Sequence, residues 1–229
     1  MLDRLTDDLF TLDVPFSMMG LALGGRVTIA RLPDGDLWVH SPVRLTPELK
    51  AAVDALGPVR HLVAPNLYHH IFVPDWAAAW PEARVHAPPG LEAKQKSLRI
   101  DRQLGPDPDP DWQDAIAPVP LRGVDMVSET FFVHAPSDTA ISADLAFAVP
   151  PAKRSLFTSL YMRLNGIANK PMGCSFLHKA ATKDKDAARA SIADLLERDW
   201  SRLVLAHCDV FDGPDVKDSV REAWSWVGV

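Results

Sequence analysis

The chain has 229 residues, 47% of them hydrophobic and 24% charged, with a formal net charge of −6 at pH 7. That is the make-up of a globular protein of one domain. It excludes a disordered chain, a collagen and a coiled coil, and it lacks the basic footprint of a nucleic-acid binder.

Two cysteines, Cys174 and Cys208, cannot build a disulfide framework, and no C-x-x-C pair is present. A reducing compartment is the simpler reading. No apolar run approaches the length that spans a bilayer. The opening MLDRLTDDLF lacks the charged-then-apolar order of a signal peptide. The expectation is a cytoplasmic protein without a membrane or nucleic-acid partner. The 20 prolines exceed the ~5% of an average chain, and they divide the sequence into many short elements.

Residues 8–12 alternate weakly, as an edge strand does. RVTIAR (26–31) alternates strongly, and after the turn signal Pro-Asp-Gly the pattern resumes in LWVHS, so the two read as a β-hairpin. Thr46 is a good N-cap for TPELKAAVDALG, with Pro47 in the first turn and Gly57 at the stop. VRHLVAP reads as a buried strand, IFVPDWAAAW as a short helix and RVHA (84–87) as another strand. GPDPDPD (105–111) is the clearest loop. It is not a domain boundary, because neither side alone forms a complete pattern of elements; residues 1–229 read as one domain.

Strand patterns return at 115–121, 130–134 and 139–147. Residues 151–165 read as a helix. The strongest helical periodicity is at 183–199, where Ala188, Ile192, Leu195 and Leu196 recur on one face. RLVLAH is then a buried strand and DVKDSVREAWSWV a terminal helix. The order of strands and helices is that of an α/β layered protein.

In such proteins sites gather where strands end. Four strand ends deliver a histidine or an aspartate: His69 and His70 after HLVAP, His134 then Asp138 after ETFFV, Asp144 after TAISA, and His207 after RLVLA. Imidazole and carboxylate are the ordinary ligands of zinc and iron. Each signal alone has a plainer reading, as a surface loop, a turn residue or a hydrogen-bonded core imidazole. His40 reads as a half-buried strand histidine; His61, His86 and His178 read as structural or exposed.

These residues resemble the metallo-β-lactamase superfamily, the fold of glyoxalase II and ribonuclease Z. The phrases LWVHSP, LVAPNLYHH and ADLAF resemble an uncharacterised branch of it, a domain of unknown function. The resemblance runs from residue 8 to about residue 214 and implies a four-layer αββα sandwich of two mixed sheets with helices outside. The family's H-x-H-x-D-H motif matches Pro65 to His70, its P-G-H-T histidine matches Asp138, its bridging aspartate matches Asp144, and its final histidine matches His207. Proline, leucine and aspartate thus stand at the positions of one metal. The positions of the other hold His69, His70, Asp144 and His207, all competent ligands.

The resemblance therefore implies one zinc or iron ion rather than two. Two functions follow. The first is a mononuclear metallohydrolase of unknown small-molecule substrate, with Asp138 as base or orienting group and Tyr68 supplying a hydroxyl. The second is a metal-free pseudoenzyme that uses the fold as a binding scaffold. A reactive Cys208 beside His207 is a third, weaker reading. The segment 88–114 is expected to be the insertion that builds the substrate pocket, and 163–182 a lid or a plain connection. Trp224 and Trp226 on different faces of the last helix suggest a homodimer contact.

Overall fold

The computed structural model describes residues 1–18, 20–149, 154–207 and 209–229. Cys208 and the start of the helix expected from residue 151 lie outside the described residues. The strands are β1 (Asp3–Arg4), β2 (Leu9–Val14), β3 (Ser17–Met18), β4 (Leu21–Ala22), β5 (Gly25–Arg31), β6 (Leu37–His40), β7 (Val59–Val63), β8 (Arg84–Ala87) and β9 (Arg102–Gln103), followed by β10 (Ile116–Pro120), β11 (Thr130–His134), β12 (Thr139–Ser142), β13 (Arg202–Leu205) and β14 (Phe211–Asp212). The helices are α1 (Pro47–Asp54), α2 (Val73–Ala79), α3 (Leu91–Lys94), α4 (Leu156–Leu164), α5 (Phe176–Ala181), α6 (Lys185–Glu197) and α7 (Val216–Trp224).

The strands form two large mixed sheets and one small ribbon, β3–β4. The first sheet runs β1-β2-β5-β6-β7-β8-β9 and the second β10-β11-β12-β13-β14. β6 and β7 pair in parallel, as do β12 and β13. β5 and β6 form the expected hairpin, with Ile29 opposite Val39.

The two-residue period of a strand sorts its side chains into three cores. Ile29, Leu37, Val39 and Leu62 point to one face of the first sheet and pack with Leu49, Val53 and Trp76 of α1 and α2. Their neighbours Ala30, Trp38 and Val63 point to the other face. There they meet Ile116, Phe132 and Ile141 of the second sheet. Phe131, Val133, Ala140 and Leu203 then face away from that seam, onto Ile192, Leu195, Val220 and Trp224 of α6 and α7. Three apolar layers between four structural layers make an αββα sandwich. Each large side chain sealed in them contributes roughly 1.5–3 kcal/mol.

Local chemistry sets the boundaries. Thr46 Oγ1 accepts from Leu49 N at 3.2 Å to start α1, and Asp184 Oδ1 accepts from Asp186 N and Ala187 N to start α6. Gly123 has φ +78, and a Cβ there would lie 2.2 Å from Asp184 O. Only glycine lets these segments approach so closely.

One expectation changes. Segment 88–114 packs at the first sheet: Asp101 N and Leu104 N donate to β8 carbonyls, and Leu104 and Trp112 enter the inter-sheet core. It does not line the cavity described below. Trp224 is fully buried and stacks on the partly buried Trp226 at 5.5 Å, both packed on the core of α6 and α7. Both rings find these contacts within the chain. Among the described residues, no helix is long and apolar enough to cross a membrane.

Candidate metal centre

β6, β7, β12 and β13 all end at one rim of the sandwich, and each delivers a polar residue there: Ser41, His69, Asp144 and His207. Asn66 organises the loop after β7. It is fully buried. Its Oδ1 accepts from Tyr68 N and His69 N, both at 2.8 Å, which turns the chain so that His69 faces inward. Its Nδ2 donates to Asp144 Oδ2 at 2.8 Å and to Glu129.

His69 Nε2 lies 3.0 Å from His207 Nε2 and 3.4 Å from Asp144 Oδ2, and His207 Nε2 lies 3.6 Å from Asp144 Oδ1. Four ligands held tetrahedrally at zinc–nitrogen and zinc–oxygen distances stand about 3.3 Å apart. The three observed separations bracket that spacing. The outward ring nitrogens are occupied: His207 Nδ1 donates to Gly24 O at 2.8 Å, and His69 Nδ1 bonds Ser41 Oγ at 2.6 Å. Phe16 and Phe147 stack on the His207 ring, at 6.3 and 6.1 Å between centroids. Oriented imidazoles with bonded outer nitrogens present their inner nitrogens as ligands. The donor set therefore fits one zinc or iron ion, and among the described residues these three form the group able to hold one.

Without an ion, the three groups are coupled through a proton. Burial opposes a charge on His69, but Asp144's charge and hydrogen bond outweigh it and raise the His69 pKa. Burial would also raise Asp144; His69, then His207 and Asn66, instead hold it well below the usual carboxylate range. His207 is lowered by burial and by His69. With its Nδ1 proton given to a carbonyl, neutral His207 has a bare Nε2, so the proton between the two rings belongs to His69.

Glu129 sits beneath this group, 1% exposed. Its Oε1 accepts from Ser142 Oγ and Ala143 N, both at 2.8 Å. Burial and the neighbouring Asp144 charge push its pKa up to about 7. Sequence reading missed Glu129 and Asn66. The available signal was Asn66 directly before the histidine pair, a residue suited to bonding its own backbone two residues on.

Two of the expected site residues stand elsewhere. His70 is outside the cluster; its Nδ1 bonds Gln95 Nε2 at 3.0 Å, and burial and Lys94 lower its pKa. Asp138 caps the turn between β11 and β12, exposed, with φ 47. It precedes β12, whereas Asp144 follows it, so the two lie at opposite ends of that strand. The segment that faces the site from this hairpin is the one leading into β11: Val127 O accepts from Leu67 N, and Thr130 N donates to Pro65 O. Tyr68 stands at the mouth, 40% exposed, with Lys94 Nζ 4.5 Å over its ring. His40 is a core histidine, stacked on Trp38 at 5.6 Å.

His69, Asp144 and His207 open into a cavity of about 440 Å³. Its walls include Leu21 and Leu23, Val43, Phe72, Phe147 and Tyr161. Ser175, His178 and Ala181 place part of the 163–182 segment in the wall as well.

A two-sheet αββα sandwich with its donors at the strand ends is the metallo-β-lactamase fold, and comparison with solved structures shows the same. A metallo-β-lactamase from Pontibacter korlensis superposes with a TM-score of 0.68 at 11% identity, covering 99% of this chain and 98% of that one. DIM-1 metallo-β-lactamase gives a TM-score of 0.69 at 10% identity over 100% and 98% of the two chains. No curated protein matches in sequence. Within this fold, the chain belongs to the DUF4336 family, described as a domain of unknown function, whose model matches residues 6–224.

Proposed function

We propose that the protein is a mononuclear metal-dependent hydrolase. The observation that carries this is the convergence of His69 Nε2, His207 Nε2 and an Asp144 oxygen at 3.0–3.6 Å, with both outer ring nitrogens already bonded. Two histidines and a carboxylate leave room for exchangeable positions, which a catalytic site needs and a closed structural site lacks. The chemistry a zinc-class ion supplies in such a site is acidification of a water and polarisation of a carbonyl or phosphoryl oxygen.

The chain's own groups have defined tasks in this reading. Ser41 and Gly24 fix the two imidazoles. Asn66 holds Asp144 against Glu129 and keeps a carboxylate lone pair turned to the site. Glu129 acts through Asn66 and the Ala143 amide, as a positioning residue. Tyr68 supplies a hydroxyl at the mouth, toward the substrate's leaving side.

Metal analysis by mass spectrometry of tag-free protein, beside His207→Ala, tests the reading. About one zinc or iron per chain is expected, lost in the variant. Zinc at a hundredfold excess over its Kd adds about 2.7 kcal/mol, or roughly 5–10 °C in Tm for a domain this size. Protein without metal and without a zinc-dependent Tm supports the second reading, a metal-free binding scaffold. The 3.0 Å contact between the rings favours that alternative, because one shared proton next to Asp144 satisfies the cluster without an ion.

A further inference from the structure

The cavity beside the three donors differs from a site built for an anion. Among the described residues lining it, Arg26 is the sole lysine or arginine. It is 5% exposed, and each of its three guanidinium nitrogens is engaged: Nε and Nη2 on the Asp13 carboxylate at 2.6 and 2.9 Å, and Nη1 on Leu205 O at 3.0 Å. Three of its five N–H donors are used in this way, and its charge is already paired with the Asp13 carboxylate. Most of the remaining wall is aliphatic or aromatic.

The apolar wall also continues outward. Met18, Ile71 and Met126 line the cavity yet are 39%, 49% and 56% exposed. Tyr161 of α4 lines the cavity, and on the same helix Phe157 and Leu164, four before and three after it, are exposed, as is the adjacent Leu160. Large side chains left bare around the mouth of an apolar cavity are a binding surface rather than a chance distribution.

We propose that the substrate is a neutral ester with a long aliphatic or aromatic acyl group, the acyl carbon placed at the three donors and the chain lying along the cavity toward α4. This rests on the hydrolase reading. In the reaction, the oxygen of water bonds to the acyl carbon and the bond from that carbon to the alcohol oxygen breaks. One proton of the water passes to the departing alkoxide, and the products are the carboxylic acid and the alcohol. No oxidant or co-substrate enters. Phosphate esters and anionic thioesters are expected to be poorer substrates, since the one arginine among the described lining residues is already paired with Asp13 and the wall beyond the donors is apolar.

The test uses the full chain loaded with zinc and a series of p-nitrophenyl esters from acetyl to dodecanoyl, with bis(p-nitrophenyl) phosphate as the anionic comparison. The expected result is a kcat/KM at least tenfold higher for octanoyl than for acetyl, with no turnover of the phosphate diester above the buffer rate. Ile71→Asp and Met126→Glu, at exposed positions that tolerate charge, should each cut the octanoyl-to-acetyl preference about tenfold. A flat or inverted chain-length profile, or preferred turnover of the diester, overturns the inference. If no ester is turned over, displacement of the neutral probe 1-aminoanthracene by decanamide decides the matter. Displacement from the parent protein, weakened in Ile71→Asp, keeps the acyl site and rejects the hydrolase reading. Absence of probe binding overturns the acyl site itself.

Discussion

Lowering the pH should destabilise this protein well above the range where carboxylates titrate. His40, His86 and His134 are at most 1% exposed. Burial, chiefly, lowers their pKa from 6.5 to about 3, about 3 and about 4. Nε2 of His40 and of His134 has no hydrogen-bond partner, so neither ring has an acceptor waiting for a proton there. Between the two pKa values the unfolded chain binds protons that the folded chain refuses, so stability is complete above about pH 7 and falls with pH. At about pH 5 each histidine costs roughly 2 kcal/mol, about 6 kcal/mol for the three. Glu129 acts in the opposite sense. Its pKa is raised to about 7, so the folded state keeps a proton that the unfolded chain releases, which returns roughly 2–3 kcal/mol at pH 5. The net contribution of these four groups is a loss of about 3–4 kcal/mol, a large part of a typical domain's stability. Urea unfolding followed by tryptophan fluorescence at about pH 7.5 and 5 measures it as a fall in midpoint at constant slope. His134→Phe should remove about 2 kcal/mol of that pH dependence. A midpoint that holds or rises on acidification would refute the argument.

Other substitutions probe separate features. Gly123→Ala puts a Cβ on Asp184 O and should cost about 3 kcal/mol or more in urea unfolding. Asn66→Ala leaves Glu129 and Asp144 without the amide between them; a loss of about 2–4 kcal/mol is expected, and the zinc-induced rise in Tm should vanish although all three donors remain. Asp138→Gly should stabilise by about 0.5–1 kcal/mol, because the residue has φ 47, and should leave the zinc response intact. Cys174 is buried, which pushes its thiol up to about 12. Iodoacetamide should therefore label the native protein at position 174 no faster than the chain unfolds.

The layered fold was legible because every central strand carries side chains for two different cores. Apolar runs such as TFFVH and RLVL, buried on both faces, announce that arrangement. Strands 84–87 and 130–134 fall where the pattern puts them, and the helix expected over 183–199 forms over Lys185–Glu197. The shortest strands, β1, β3, β4, β9 and β14, have two residues each and leave no periodicity to read. At the rim, the histidines and the aspartate that end strands were visible as strand ends. The error at Asp138 was one of hairpin geometry: a residue in the turn between two antiparallel strands sits opposite the ends where those strands begin and finish. His70 illustrates a further limit. Adjacent residues in a loop point apart, and the Asn66 turn selects His69. Glu129 was invisible because a buried carboxylate looks, in one sequence, like any acidic residue before a strand.

The site also times its own assembly. His69 and His207 are 138 residues apart, Gly24 and His207 183, and Arg26 and Leu205 179. The first sheet and the second come from successive halves of the chain, so the centre does not exist until the halves dock. At ribosomal speeds His69 precedes His207 by about 7–28 s. Through that interval Trp38 and Val63 have no opposing sheet to cover them. Contacts of such long range form late and slowly. Ion capture at this seam would act as a clasp on the docked halves, and contacts made after the folding barrier slow unfolding far more than they hasten folding.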